Sequence, residues 1–479
     1  MPTLQYMRNF VQNQVNKPFM LLTAALITIL YTTSPPSGLS TQGWQTLLLM
    51  VYTISLWVTE AIEPPLTALL VMLLFSLMGI LSFPQAVAGF GDTTIWLLIG
   101  VYLISAAMRE SGLDRRIALN MIDLAKGYSK VIMFMITITT TLFTFLLPSS
   151  SGRASLLTPI CLGIINAMGL GRDSNIAKGM FISVSYASLL GSMGLITGAI
   201  SMAYAASLFE IILGVKLTYL VWLKIMMPVS LICGLLMCPL LLRIFPPELN
   251  YLPGGSDYIK NEMVSLGSLT AKELKVLCII SLTILCWIFE DKFKLSIAQS
   301  CLAASIALVL PGTGVMSWKK AVSTIEWGAI FVLGASLAMV EALKISKAIE
   351  WFTAILFTSL PAEGSILTSI ILLAAMILIR AFFPNIIAMT ATILPIMFSL
   401  APSVGLNPVW LGLLGVAGTV IGLFFPSQSI THLITFGAGY YSTSDMFKSG
   451  KYATLLVAVI VLLFAHLYWP LLGISPAAR

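Results

Sequence analysis

The residues best suited to chemistry in this chain form a short polar break inside an apolar run. Between Val131 and Leu170 the strongly polar interruption is Ser149-Ser150-Ser151-Gly152-Arg153, about midway. Ser and Gly leave backbone N–H groups free, and a helix beginning near Gly152 would point its positive end at the break. Arg153 adds a planar fork shaped for a carboxylate. A matching break at Pro384-Asn385 follows Arg380 by about one helical turn, and Arg380 lies in the apolar run Ile366–Phe383. An arginine at membrane depth is costly and therefore a candidate ligand by default. The structural alternatives are snorkelling for Arg153 and pairing with a carbonyl or headgroup for Arg380. Two further clusters, Gly191–Gly198 (containing Gly194, Thr197 and Gly198) and Pro426–His432 (containing Ser427), interrupt apolar segments. Unwound backbone of this kind is tolerated at depth where it lines a cavity.

The acidic residues fall near the ends of apolar segments or in loops, none at a tip or break. Arginines, hydroxyls and helix N-termini without a carboxylate suit an anion, which buried negative charge would repel. No HExxH, GxSxG, Walker or Gly-rich phosphate pattern is present, and the histidines are His432 and His466. An enzyme is not expected. The six cysteines show no metal-ligand spacing and read as reduced filler.

These residues must be positioned by membrane helices. Of the 479 residues 58% are hydrophobic and 9% charged, and the mean hydropathy is +0.98. Such a composition demands a lipid-exposed fold, and without barrel-type alternation the fold is all-α and polytopic, with about eleven transmembrane segments. The net charge of +7 is scattered between apolar segments, which points to topology and not to nucleic acid. With the N-terminus cytoplasmic, most Lys and Arg fall on the cytoplasmic side, as expected in an inner (cytoplasmic) membrane. The first apolar segment, 18–33, lacks a cleavage site in the usual place and reads as a retained helix.

An internal repeat sets the domain plan. Trp96, Ile99, Val101, Ser105, Ala107, Met108 and Glu110 recur at Trp327, Ile330, Val332, Ser336, Ala338, Met339 and Glu341, a constant offset of 231. Pro148, Pro159 and Ile160 recur at Pro384, Pro395 and Ile396 at an offset of 236. The topology puts Glu110 inside and Glu341 outside, so the repeats are inverted, as in alternating-access carriers. The predicted plan has an N-terminal segment 1–42, a first inverted repeat 43–245 with re-entrant hairpin 130–170 and broken helix 178–214, a cytoplasmic linker 246–275, and a second inverted repeat 276–474 with hairpin 364–400 and broken helix 409–440.

The residues from about 40 onward resemble the divalent anion/sodium symporter (DASS) family. The likeness is carried by Phe90–Trp96, Glu110–Arg116, the two tips with their trailing Pro-Ile, and Phe436–Tyr440 before Asp445-Met446. It implies a homodimer with a fixed scaffold and a moving transport domain, an elevator-type carrier of dicarboxylates, citrate or sulfate. Sodium-coupled members carry Ser-Asn-Thr at both tips. Here the tips read Ser149-Ser150-Ser151 and Asn385-Ile386-Ile387, so a hard-cation oxygen is lost at the second. Arg153 is similar to the pattern of the 2-oxoglutarate/malate and tartrate/succinate exchangers of that family, where a fixed guanidinium could stand in for sodium. The expected function is sodium-independent exchange of four- or five-carbon dicarboxylates, with sodium-coupled dicarboxylate or sulfate symport as the alternative, and a membrane-integral enzyme or non-transporting protein behind both. The candidate substrate ligands are Ser149, Ser150, Ser151, Gly152, Arg153, Thr197, Gly198, Arg380, Asn385 and Ser427. No cofactor is expected; a sodium ion, if bound, would use Ser149, Ser151 and Gly194.

Overall fold

Capping chemistry and apolar runs divide the chain into helices. The computed structural model describes residues 32–59, 61–251, 253–312, 314–348, 366–381 and 385–477, with isolated positions 25, 28, 351 and 383. The longer helices are α1 (Thr41–Thr59), α2 (Pro64–Leu77), α3 (Thr93–Ser111), α4 (Leu113–Asp123), α5 (Ser129–Leu142), α6 (Ser150–Ala167), α7 (Asn175–Ser192), α8 (Ile200–Leu213) and α9 (Tyr219–Ile244). They continue as α10 (Pro253–Leu266), α11 (Ala271–Ile288), α12 (Ile297–Val309), α13 (Trp327–Ser346), α14 (Ile366–Arg380), α15 (Ile386–Ser403), α16 (Pro408–Val420), α17 (Ile430–Phe436) and α18 (Thr443–Leu463). Asp92 accepts the Thr94 N–H at 2.8 Å to start α3, and Asn407 accepts that of Val409 at 2.9 Å to start α16. Thr270 and Glu273 close a reciprocal capping box on α11.

The fold is that of a polytopic membrane protein. Among the described residues five helices are long and apolar enough to cross a membrane by length and composition. Shorter apolar helices include the hairpin arms α5 and α14 and the half-helices α8 and α16. The first apolar segment, 18–33, falls largely outside the described residues, as does Pro384 of the second tip. The stretch 246–275, expected as a linker, carries α10, which packs on α4 and on the hairpin arm α6. A Cβ on Gly163 would lie 2.0 Å from Tyr258 Cζ, so the missing side chain is what lets α10 lie flat on α6. Arg116 clamps the far end of α10, donating to Glu273 at 2.6 Å and to the carbonyls of Leu266, Gly267 and Ser268.

The repeat governs the packing. At offsets near 230, α1, α2 and α3 correspond to α11, α12 and α13, and the contacts are reciprocal: α3 packs on α12 while α13 packs on α2. The same crossing joins the hairpins to the broken helices. Arm α6 packs on α17, the second half of the other repeat's broken helix, and α15 packs on α8. Helices from the two halves of the chain thus pack on one another in matching pairs.

Helix α18 crosses the unwound segment between α16 and α17 at close range. A Cβ on Gly450 would lie 2.1 Å from the Leu423 carbonyl oxygen, a backbone atom that cannot turn aside, whereas nothing lies within 4 Å of one on Gly91. Gly450→Ala is expected to cost about 1–3 kcal/mol through overpacking, lowering the thermal midpoint and the monodisperse yield on size-exclusion chromatography. Gly91→Ala is expected to leave both near wild type.

Candidate functional site

Both membrane arginines are fully buried, and both hold backbone. Arg153, in the first turn of α6, donates through Nη1 to the carbonyls of Leu147 (2.5 Å) and Gly198 (3.2 Å) and to Thr144 Oγ1 (3.4 Å). Its Nη2 donates to the Ser188 carbonyl at 2.6 Å. Arg380, at the end of α14, donates from Nε to the Thr419 carbonyl (2.9 Å), from Nη2 to that of Gln428 (2.5 Å) and from Nη1 to that of Phe383. The cages correspond across the repeat: Leu147 and Phe383 precede the tips, Ser188 and Thr419 lie late in the first half-helix, and Gly198 and Gln428 sit at the breaks.

The breaks themselves match in conformation. Leu195 has φ −133° and ψ 147°, and Phe425 has φ −132° and ψ 146°. Ala199 and Ser429, which start α8 and α17, are both extended, at φ −159° and −158°. Each break exposes carbonyls that an intact helix would consume, and a guanidinium satisfies them. The two guanidinium groups reach equivalent cages from opposite arms. Thr144 occupies the position equivalent to Arg380, and Met389, fully buried, that equivalent to Arg153. Among the described residues neither arginine forms an ion pair with a carboxylate.

Arg153, expected as a substrate ligand with snorkelling as the alternative, instead gives its Nη donors to the protein's own backbone. Sequence reasoning considered carboxylates, whereas the partners are carbonyls freed by unwinding 35 and 45 residues away. The carbonyl alternative raised for Arg380 describes its geometry. Ser149 caps α6, accepting the Gly152 N–H at 3.2 Å, and its hydroxyl lies 2.7 Å from that of Ser151. Ser150 accepts from Thr431 at 3.1 Å, tying the first tip to α17. Asn385 caps its own helix through the N–H groups of Ile387 and Ala388. Thr197 lines a space of about 20 Å³, too small for an organic anion, and the Gly198 carbonyl is held by Arg153. Ser427 is exposed, and Gly194 packs against Met227 and Ser230.

A larger cavity of about 620 Å³ opens beside the first tip. Ser149, Ser151 and Gly152 line one side of it, and Tyr102, Ser105 and Arg109 of α3 another. Asn385, Ser427 and Arg380 do not line it, so the second tip is not brought into this space. Two carboxylates that the sequence reading kept away from the site reach its wall: Asp114, buried and accepting from the Arg115 N–H, and Glu326, which accepts from Tyr102 at 3.1 Å.

The family model described as the sodium:sulfate symporter transmembrane region matches residues 13–475. The chain belongs to that family. A membrane protein of Cupriavidus necator is 28% identical over 94% of this chain and 91% of its own. The sodium-dependent dicarboxylate transporter SdcS of Staphylococcus saprophyticus is 25% identical over 98% of this chain and 96% of its own. In fold alone, the crystal structure of the YdaH transporter of Alcanivorax borkumensis is similar, with a TM-score of 0.53 and 12% identity over 84% of this chain and 90% of that one. Family membership makes the chain a secondary transporter related to divalent-anion carriers.

Sequence reasoning missed two features of this symporter-family site. Fully buried His432 joins the two broken helices, with Nδ1 2.5 Å from the Ser185 hydroxyl and Nε2 2.8 Å from the Gly422 carbonyl. The stripe Tyr102, Ser105, Arg109 was not among the expected site residues; its i, i+3, i+7 spacing is the signal that could have marked a single face.

The crossed cages yield a direct test. Arg153→Met leaves buried carbonyls unpartnered and is expected to lower stability by roughly 3 kcal/mol. Thr144→Arg combined with Arg153→Met rebuilds the arrangement of the second repeat and is expected to recover part of that loss in thermal unfolding. A double variant no more stable than the single would show that the cages are not equivalent.

Proposed function

We propose that this member of the sodium:sulfate symporter family is a sodium-independent exchanger of four- or five-carbon dicarboxylates, nearest in kind to the 2-oxoglutarate/malate and tartrate/succinate exchangers. The observation that carries this reading is the pair of cages, each filled by a fixed guanidinium that, among the described residues, is paired with no carboxylate. Carbonyls converging from a tip and a broken helix are also what a bare cation would seek. With an arginine in each, the protein supplies permanently the positive charge that a coupled carrier must import. A dianion is then attracted by charge that never leaves, and the empty carrier faces the cost of reorienting without a counter-anion, which favours exchange over net uptake. On this reading the substrate meets the Ser149–Gly152 tip, and Arg153 and Arg380 act on it through their field and by fixing the tips.

The inverted topology, the elevator-type movement, assembly as a homodimer and insertion in the cytoplasmic membrane with the N-terminus inside complete the proposal. Sodium-coupled symport is the competing reading, favoured by the name of the Staphylococcus saprophyticus relative. Purified protein in liposomes separates the two. Uptake of labelled succinate or malate is expected to require internal dicarboxylate and to proceed equally in sodium and choline buffers; strict sodium dependence with empty liposomes would replace exchange by symport.

A further inference from the structure

The cavity beside the first tip contains polar groups that the cages leave unused. Arg109 ends α3 with its guanidinium beside the tip: a Cβ on Gly152 would lie 3.8 Å from Arg109 Nη1. Among the described residues Arg109 makes no hydrogen bond or ion pair, in contrast to its neighbours. Arg115 is paired with Glu262, Arg116 with Glu273, and Glu110 with Lys320. Asp114, on the same cavity wall, is buried and accepts from the Arg115 N–H. One turn earlier on the same face, Ser105 is 2% exposed, and its hydroxyl has no hydrogen-bond partner in the described structure. A buried hydroxyl without a partner is rare, because leaving it dry costs free energy. Both residues line the 620 Å³ cavity, as do Ser149 and Ser151. That volume lies within the roughly 300–1,000 Å³ usual for small-ligand sites.

We propose that Arg109 and Ser105 bind the distal carboxylate of the substrate while the Ser149–Gly152 tip binds the proximal one, so that Arg109 is the residue that selects dianions over monoanions. The proposal rests on the dicarboxylate reading above and extends the site to a helix outside the hairpins and broken helices. It gives the exposed guanidinium of Arg109 a partner of the right charge and the orphaned Ser105 hydroxyl an acceptor. Neither caged arginine lines this cavity, and Arg115, which does, is paired with Glu262, so among the described lining residues Arg109 is the cation with hydrogen bonds to give. Glu326 lies on the same wall, where one of its oxygens accepts from Tyr102.

The test compares succinate with its monomethyl ester, which lacks one charge, as competitors of labelled succinate exchange in liposomes. The wild type is expected to prefer the diacid strongly. Arg109→Gln is expected to raise the KM for succinate roughly tenfold or more and to narrow the preference for diacid over monoester, with the thermal midpoint and size-exclusion profile unchanged. Arg109→Lys should restore the preference in part, since a point charge replaces the fork incompletely. Ser105→Ala should raise KM by a smaller factor and supplies the readout if Arg109→Gln folds poorly. A folded Arg109→Gln, or Ser105→Ala in its place, that keeps the wild-type KM and diacid preference overturns the proposal while leaving dicarboxylate exchange standing. A wild type that moves no dicarboxylate overturns the functional reading and the proposal with it.

Discussion

Two buried positive charges, each held mainly by backbone carbonyls and, among the described residues, by no carboxylate, are the constraint around which the rest is arranged. Taking a guanidinium out of water costs several kcal/mol unless its donors are used in good geometry. Carbonyls at the end of a half-helix and at a break supply acceptors that regular helix would have consumed. The unwound segments and the arginines therefore need each other: without the arginine the break exposes dry carbonyls, and without the break the arginine has nothing to hold. Because carbonyls are dipoles, they orient the charge without cancelling it, so the field of Arg153 and Arg380 persists around the tips.

The same constraint explains how the two halves close. Arg153 ties the first tip to its own broken helix, and Ser150 hands that tip to Thr431 of the other. His432 and Tyr186 add buried bridges between the two broken helices and the segment near Leu423, which Tyr186 reaches at 2.8 Å. Hairpins and broken helices thus form one interlocked group in which each half completes the other.

Much of this plan was legible in the sequence because lipid allows few exceptions. Polar breaks such as Ser149–Arg153 and Gly191–Gly198 stand out from apolar runs, and the recurrence of Trp96 through Glu110 at Trp327 through Glu341 points to a repeat. The arginine partners were not legible, because a carbonyl carries no signature in the sequence and becomes an acceptor only once the helix around it opens. Arg109 was obscured for a related reason. At the end of an apolar helix it reads as a topology signal, and only the packing of α3 beside the first tip turns it toward the cavity. Helix α10 was missed because its polar composition matches a solvent-facing connection; Gly163, which makes room for Tyr258, lies on a different helix.

The central claim is that fixed guanidinium groups take the place of a coupling cation, and equilibrium binding tests it without the complications of flux. Succinate affinity of the purified protein should be measured calorimetrically while sodium is replaced by choline at constant ionic strength. The account predicts the same dissociation constant throughout; an affinity that rises in proportion to sodium would contradict it.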